Sequence, residues 1–262
     1  MGNTIDVCLL AGIGDLIASK AMIFELADKI NIKIDENCTN DRGIGYMSFL
    51  EQFSPLLFCE PKFTFKGFQK GGARSWTSFP NSPTRLPIQK QFYENIQSPV
   101  LGKYICLTTK NRGVAEKIIS RETPILLEGL RKISNKVKIV LLGEKEIEQN
   151  GEVSVLKNMK IISNIYNDAK EIPNIIDLTV PKLGLTCPDL NTLQRDCACI
   201  ANAVATVNIG LGGNTILSSS VGRTINIANG EVYDLNSVRK MFSVFSDHPN
   251  APKLLEELNS LL

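Results

Sequence analysis

Short apolar runs alternate along the chain with segments whose apolar positions recur at a helical spacing. In the first hundred residues, the runs at 4–11 and 30–35 predict strands, and the apolar positions between 15 and 30 predict a helix. Since strands that alternate with helices are typical of parallel sheets, this part of the chain is predicted to be an α/β unit.

A second series of alternating elements begins near residue 103 and predicts a parallel sheet with helices on both faces. The predicted strands span 103–109, 137–143, 159–165, 174–179, 206–210 and 223–228. The predicted helices span 113–133, with an interruption before Pro124, then 190–203 and 214–222, with two more near 235–246 and 250–262.

Residues 67–99 are rich in Gly, Pro, Ser and Asn and largely lose the helical spacing, which is typical of a functional loop followed by a linker. We place the connection between the two series near 95–102. The sequence thus predicts an α/β fold of two Rossmann-like, doubly wound parallel-sheet domains, a reduced N-terminal one at 1–99 and a C-terminal one at 100–262.

Composition narrows the choice of partners. The 29 Lys and Arg residues nearly balance the 27 Asp and Glu residues, so nothing indicates the clustered basic face that a nucleic-acid partner requires. No apolar stretch approaches the roughly 20 residues that span a bilayer, and the N-terminus has no signal-peptide pattern. These features predict a cytoplasmic protein without a transmembrane segment.

The seven cysteines and the single histidine limit the possible chemistry. The cysteines are odd in number and several lie in apolar runs, which favours buried, reduced thiols. Cys197 and Cys199 have no second pair at zinc-ligand spacing, so no metal site is expected. His248 lies in the polar segment "SDHPN" and is expected at the surface rather than in a Ser-His-Asp arrangement.

Four loops that follow predicted strands carry candidate binding residues, since ligands of doubly wound folds bind there. In the first loop, "AGIGDLIAS", two glycines and Asp15 follow the first strand. The third glycine of a dinucleotide-binding turn would fall at position 17, which is Ile17. On spacing alone, Asp15 is either a functional carboxylate or a helix N-terminal residue that the helix dipole stabilises.

The second and third loops belong to the second series. "LTTKNRG" gathers hydroxyl and basic side chains that suit a diphosphate, and it also fits a solvated polar loop. In "LLGEKE", Glu144 or Glu146 suits a ribose hydroxyl, and the segment also fits an exposed strand-to-helix loop. The diphosphate candidates of the second loop are Thr108, Thr109, Lys110 and Arg112.

The fourth loop, "IGLGGNT", places three glycines just before a predicted helix. The N–H groups at that helix start would face an anionic ligand, and a plain turn with Asn214 as the N-cap fits equally well. The serines at 218–220 make the helix small enough to pack closely on the sheet. The candidate binding residues of this loop are Gly212, Gly213, Asn214 and Thr215.

Together the four loops resemble the two-Rossmann-domain glycosyltransferases of the GT-B architecture, and among them the heptosyltransferase-like group. The "G-x-G-D" turn of that group is matched by Gly12-Ile13-Gly14-Asp15. Its pattern "DLT-x-L…A-x-x-x-x-IGVDSGPMHLAAALGTPTI" is matched in part by residues 189–193, 201–205 and 209–225. The match covers most of the second series but only the first turn and helix of the first.

The resemblance implies an inverting transfer of a sugar from a nucleotide-sugar donor to a hydroxyl of a carbohydrate or glycoconjugate acceptor, without a metal cofactor. It implies that Asp15 is the general base, that the loop after residue 107 holds the donor diphosphate, and that Glu144 or Glu146 contacts ribose. The N-terminal domain would then bind the acceptor. Candidate acceptor-binding residues are Gly14, Arg74, Trp76 and Arg85, although Trp76 also fits a role as a loop anchor.

Other functions stay open on the same fold. The segment "GLGGNTILSSSVG" lacks the Asp and the His of "DSGPMH", which favours a non-catalytic protein that binds a nucleotide or a sugar. A nucleotide-sugar epimerase is a second alternative, although a single, C-terminal histidine speaks against it. The missing third glycine disfavours an oxidoreductase.

Overall fold

A parallel pair of strands is described in the N-terminal part of the chain. The computed structural model describes residues 4–7, 31–34, 96–108, 116–147, 167–182, 189–209, 213–227 and 245–262. Strand β1 (Thr4–Val7) lies beside strand β2 (Asn31–Ile34) in parallel register, with Thr4 opposite Asn31. These strands confirm the two runs predicted there, and the helix predicted between them lies outside the described residues.

The C-terminal part contains a six-stranded sheet and a smaller two-stranded one. The six strands are β3 (Tyr104–Thr108), β4 (Lys138–Leu142), β6 (Ile175–Asp177), β8 (Thr206–Ile209), β9 (Thr224–Ile227) and β10 (Phe245–His248). Strands β5 (Glu144–Ile147) and β7 (Val180–Lys182) form the small sheet, also in parallel. The strand predicted at 159–165 lies outside the described residues.

The order of the six strands is β10-β9-β8-β3-β4-β6, and every neighbouring pair is parallel. Strand β3, the first of the six along the chain, lies inside the sheet. Strands β4 and β6 follow it on one side, and β8, β9 and β10 follow on the other. This order is that of a Rossmann-type sheet. It confirms an α/β fold with a doubly wound parallel sheet for the second series, whereas the division into two domains at residue 99 stays a prediction.

Four helices are described in full: α1 (Glu116–Ile133), α2 (Leu190–Asn202), α3 (Gly213–Val221) and α4 (Ala251–Leu261). The predicted interruption of the first helix was wrong, because α1 continues through Pro124. Burial of Leu126, Leu127 and Leu130 on the sheet side of α1 offsets the backbone hydrogen bond that a proline cannot donate.

One further prediction of secondary structure was wrong near the C-terminus. The helix predicted near 235–246 does not extend to its expected end, because residues 245–248 form the edge strand β10. Pairing with β9, where His248 lies opposite Ile227, overrides the local helical spacing of this segment. The rest of that predicted helix lies outside the described residues.

The main apolar core lies between one face of the six-stranded sheet and helices α1 and α4. Odd-numbered positions of β3, β4, β8 and β9 point to this face, since side chains alternate along a strand. Helix α4 packs against both α1 and β9. The strand residues that this face contributes to the core are Ile105, Leu107, Ile139, Leu141, Val207, Ile209, Ile225 and Ile227.

Helices α2 and α3 cover the opposite face. Helix α3 packs against α2, β8 and β9, and the Tyr104 hydroxyl donates to the carbonyl of Cys199 in α2 at 2.9 Å. The prediction of a small, closely packed helix is confirmed, because the three serines of α3 are fully buried. Even-numbered strand residues on this face are Tyr104, Cys106, Thr108, Val140, Leu142, Thr206, Asn208, Thr224 and Asn226.

Candidate functional site

The strand order reverses between β3 and β8, and the carboxyl ends of these two strands are neighbours at one edge of the sheet. Thr108 ends β3 and lies opposite Asn208, the penultimate residue of β8. Helix α3 begins at Gly213, four residues after the end of β8. In open α/β sheets the crevice at such a reversal is the usual place for a ligand.

A buried network of polar side chains joins three elements at this point. The Thr108 hydroxyl donates to Oδ1 of Asn208 at 3.0 Å, and Nδ2 of Asn208 donates to the hydroxyl of Thr215 in the first turn of α3. The backbone N–H of Ile209 also donates to Asn208 Oδ1, at 3.1 Å. Thr108 is 3% exposed, and Asn208 and Thr215 are 0% exposed.

The structure therefore brings together two of the predicted donor-binding residues, Thr108 and Thr215, through a third residue that sequence reasoning missed. Both hydroxyls point to Asn208 in the interior. A polar residue flanked by Val207 and Ile209 in a central strand was the available signal, because strands buried on both faces usually read as apolar runs.

The start of α3 lies two residues before the one that Asn214 as the N-cap would give. The helix begins at Gly213, so Asn214 is its second residue, half-buried in the first turn. The first N–H groups of a helix have no partner within it and carry partial positive charge. An anion at this end of α3 would meet backbone donors, and the first three residues of the helix, Gly213, Asn214 and Thr215, carry no charged side chain.

The end of β4 is built differently from the predicted strand-to-helix loop. Gly143 has φ of 104°, a conformation that favours glycine, and Glu144 then begins strand β5 instead of leading into a helix. Glu144 is half-buried and lies opposite Val180 of β7. The alternative of an exposed strand-to-helix loop is wrong here because pairing with β7, 36 residues later in the chain, extends this segment.

An acid–base pair on α2 lies against the end of β4. Asp196 is buried, pairs with Arg195 at 2.7 Å and accepts a hydrogen bond from the backbone of Gly143. Arg195 also donates to the carbonyl of Leu178 at 2.7 Å, just after β6. Burial raises the pKa of the Asp196 carboxyl to about 6, although Arg195 and the Gly143 N–H oppose that rise.

Two of the three described cysteines, Cys106 and Cys199, are poor nucleophiles. Cys106, Cys197 and Cys199 are free and buried, which confirms the expectation of reduced thiols for these three residues. Burial raises the pKa of Cys106 well above its usual value and that of Cys199 to about 11. Both thiols are therefore protonated near neutral pH.

His248 does not lie at the surface as expected. It is half-buried in β10, and its Nε2 lies 2.6 Å from Oε2 of Glu257 on α4. Ser246 donates to the other oxygen of Glu257, at 3.0 Å, so this serine is not bonded to the imidazole. The geometry links an edge strand to a helix and lacks the nucleophile-to-base contact of a hydrolytic triad.

Many predicted site residues lie outside the described parts of the chain. They are Asp15, Gly14, Arg74, Trp76, Arg85, Thr109, Lys110, Arg112 and Gly212.

Within the described parts, no cluster of three or more His, Cys, Asp or Glu side chains is arranged to hold a metal ion. No described helix is long and apolar enough to cross a membrane.

Comparisons with known proteins identify similar solved structures and no family. No protein-family model matches the chain, and no curated protein sequence matches it. A solved structure with a similar course of the chain is the ADP-heptose LPS heptosyltransferase II of E. coli, with 13% sequence identity and a TM-score of 0.48 over all of this chain and 98% of that one. Values this low do not by themselves indicate a shared activity.

Proposed function

We propose that the chain is a glycosyltransferase that binds a nucleotide-sugar donor at the carboxyl edge of the six-stranded sheet. The observation that carries the donor site is the reversal of strand order between β3 and β8. Nucleotides bind at this point of Rossmann-type sheets because the loops on either side diverge and leave a crevice. The choice of sugar transfer rests on the resemblance of the sequence motifs to GT-B enzymes.

The donor diphosphate is proposed to lie between the loop after β3 and the start of α3. The Thr108 and Thr215 hydroxyls are hydrogen-bonded to Asn208. The contacts to phosphate would therefore come from the N–H groups at 212–215 and from Lys110 and Arg112. Thr109 adds a hydroxyl donor in the same loop. Glu144, half-buried beyond the end of β4, is the proposed partner of the ribose hydroxyls.

The transfer step is proposed to use Asp15 as the general base. Its carboxylate takes the proton of the acceptor hydroxyl as the acceptor oxygen forms a bond to the anomeric carbon and the nucleoside diphosphate leaves. Positive charge at the donor loop would stabilise the departing diphosphate, so the step needs no metal. Gly14, Arg74, Trp76 and Arg85 are proposed to contact a carbohydrate or glycoconjugate acceptor.

A non-catalytic nucleotide-binding protein is the second candidate. It is favoured by the segment from Gly210 to Thr215, which carries neither an acid nor a histidine, and by the internal bonding of the Thr215 hydroxyl. Such a protein would keep the donor site and lose turnover. Release of an altered sugar nucleotide without any acceptor would instead indicate an epimerase.

The first experiment is calorimetric titration of the purified protein with ADP, UDP, GDP and the matching nucleotide sugars, together with assays of transfer. We expect one diphosphate to bind, and Lys110→Ala to weaken it by about tenfold or more. Asp15→Asn should keep the affinity and lower transfer by about a hundredfold or more. Added EDTA should change neither property.

The matched control for Lys110→Ala is Lys136→Ala, which removes an exposed lysine two residues before β4, at the opposite edge of the sheet. It should leave the affinity unchanged. If no diphosphate binds, the donor site is wrong. If a diphosphate binds but neither transfer nor donor hydrolysis occurs, the non-catalytic candidate replaces the enzyme.

A further inference from the structure

We propose that Asn208 is a positioning residue that holds the end of β3 and the start of α3 in the arrangement that binds a diphosphate. The inference rests on the proposed donor site and extends it to a residue that does not contact the ligand. It starts from the observation that a fully buried carboxamide occupies the middle of the strand reversal.

Both polar atoms of the Asn208 side chain form hydrogen bonds. Its Oδ1 accepts from the Thr108 hydroxyl at 3.0 Å and from the backbone of Ile209 at 3.1 Å, while its Nδ2 donates to the Thr215 hydroxyl. Thr108 is 100 residues away along the chain and Thr215 is seven residues away. One side chain therefore joins the last residue of β3 to the first turn of α3.

Packing alone does not explain an amide at this place. The neighbouring positions Val207 and Ile209 fill the other face of the same strand with aliphatic side chains. A buried amide destabilises the fold if its hydrogen bonds are not made, so an asparagine is favourable here only because both of its polar groups are hydrogen-bonded. Asn combines an acceptor and a donor in a fixed plane, which sets the direction of both threonine hydroxyls.

The consequence for binding is geometric. The N–H groups at the start of α3 can hold a phosphate only if they lie at hydrogen-bond distance from it while the loop after β3 holds the other side. The hydrogen bonds of Asn208 to Thr108 and Thr215 fix the distance between the end of β3 and the start of α3 before the ligand binds. Loss of these hydrogen bonds should therefore weaken anion binding more than it weakens the fold.

The test compares three variants, two at Thr215 in α3 and one at Asn208 in β8, by calorimetric titration with the nucleoside diphosphate that the wild-type protein binds. Thr215→Val removes the acceptor of Asn208 at nearly constant volume, and we expect a roughly tenfold loss of affinity. Thr215→Ser keeps the hydroxyl and should stay within about threefold of the wild type. Asn208→Ala should resemble Thr215→Val if it folds, and the threonine pair decides the matter if it does not.

Ser220→Ala is the matched control, because Ser220 is an equally buried hydroxyl of α3 that donates to Leu217 of its own helix and to neither strand. Its affinity should equal that of the wild type, even if the melting temperature falls. Equal affinities for Thr215→Val and wild type would overturn the inference while leaving the donor site intact. The inference is also overturned if affinity follows melting temperature across all variants, and a wild type that binds no diphosphate removes the donor site together with it.

Discussion

The two faces of the six-stranded sheet are built from different kinds of side chain. On the face toward α1 and α4, the central strands contribute only Ile, Leu and Val, and the helices add further leucines. On the face toward α2 and α3, β4 contributes Val140 and Leu142, and the other central strands contribute threonines, asparagines, a cysteine and a tyrosine, opposite three buried serines. Both faces are equally inaccessible to water, so burial alone does not distinguish them.

The difference shows how one sheet can separate stability from the positioning of a site. Apolar side chains on the α1 and α4 face gain free energy from burial without a directional requirement. Hydroxyl and amide groups on the other face must be hydrogen-bonded in defined directions, which restricts the arrangement of the elements that carry them. The bonds of Asn208 lie on this second face, at the carboxyl edge.

The largest expected effect tests the apolar face. Leu107→Ala removes a fully buried side chain from the central strand β3 and leaves a cavity, so we expect the free energy of unfolding to fall by about 2–5 kcal/mol. Urea denaturation measures this change. Leu101→Ala, at a leucine that is 73% exposed, should change it by no more than about 0.5 kcal/mol. Similar losses for the two variants would contradict the assignment of the core.

The next effect tests the buried charge on the other face. Because the pKa of Asp196 is raised to about 6, the folded protein binds more protons than the unfolded chain between about pH 4 and pH 6. This contribution to stability is present below about pH 4 and is lost as the pH rises through about 6, by at most about 3 kcal/mol. Asp196→Asn should flatten that part of the wild-type stability curve.

Urea denaturation at a series of pH values measures the difference between the wild type and Asp196→Asn. Asp189 supplies the opposite case, because hydrogen bonds from Thr192 lower the pKa of its exposed carboxyl. The contribution of Asp189 to the free energy of unfolding is present at neutral pH and is lost as the pH falls. An Asp196→Asn curve parallel to that of the wild type across the acid range would refute the raised pKa.

A smaller effect is expected from substitutions that disturb the packing of α3 against α2 on one face and of α1 against α4 on the other. A Cβ at Gly222 would lie 2.7 Å from the backbone oxygen of Ile200, which cannot easily move, so Gly222→Ala should cost about 1–3 kcal/mol. A Cβ at Gly129 would meet the methyl groups of Leu255, the flexible end of a side chain. Thermal unfolding of both variants should therefore show the larger loss at Gly222, and the reverse ranking would contradict this comparison.

The smallest effect is a gain in stability. Among the described residues, the buried Thr224 hydroxyl has no hydrogen-bond partner, so Thr224→Val should raise the free energy of unfolding by up to about 1 kcal/mol. Thr215→Val makes the same chemical change at a hydroxyl that accepts from Asn208 and should lower it. Denaturant midpoints measure both, and a loss at Thr224 as large as that at Thr215 would show that its hydroxyl is satisfied.

Local pattern was sufficient for most of the described elements because burial on both sheet faces leaves continuous apolar runs. The run "VKIVLLG" predicted β4 and its end at Gly143, and the helical spacing of 190–203 predicted α2 within a residue. Apart from the interruption predicted before Pro124, the errors fell where distant pairing overrides local preference. Strand β10 and the short pair β5 and β7 exist through their neighbours, and no spacing within their own segments reveals them.

The candidate site, too, could be predicted from the sequence only in part. Sequence alone was enough to mark the loop after β3 and the start of α3, because hydroxyls and glycines at strand ends are visible in a linear pattern. It could not show that Thr108 and Thr215 bond through Asn208, or that the end of β4 meets Asp196. Those contacts depend on strand order, which brings together residues up to 100 positions apart, and on the exclusion of water that makes each buried hydrogen bond obligatory.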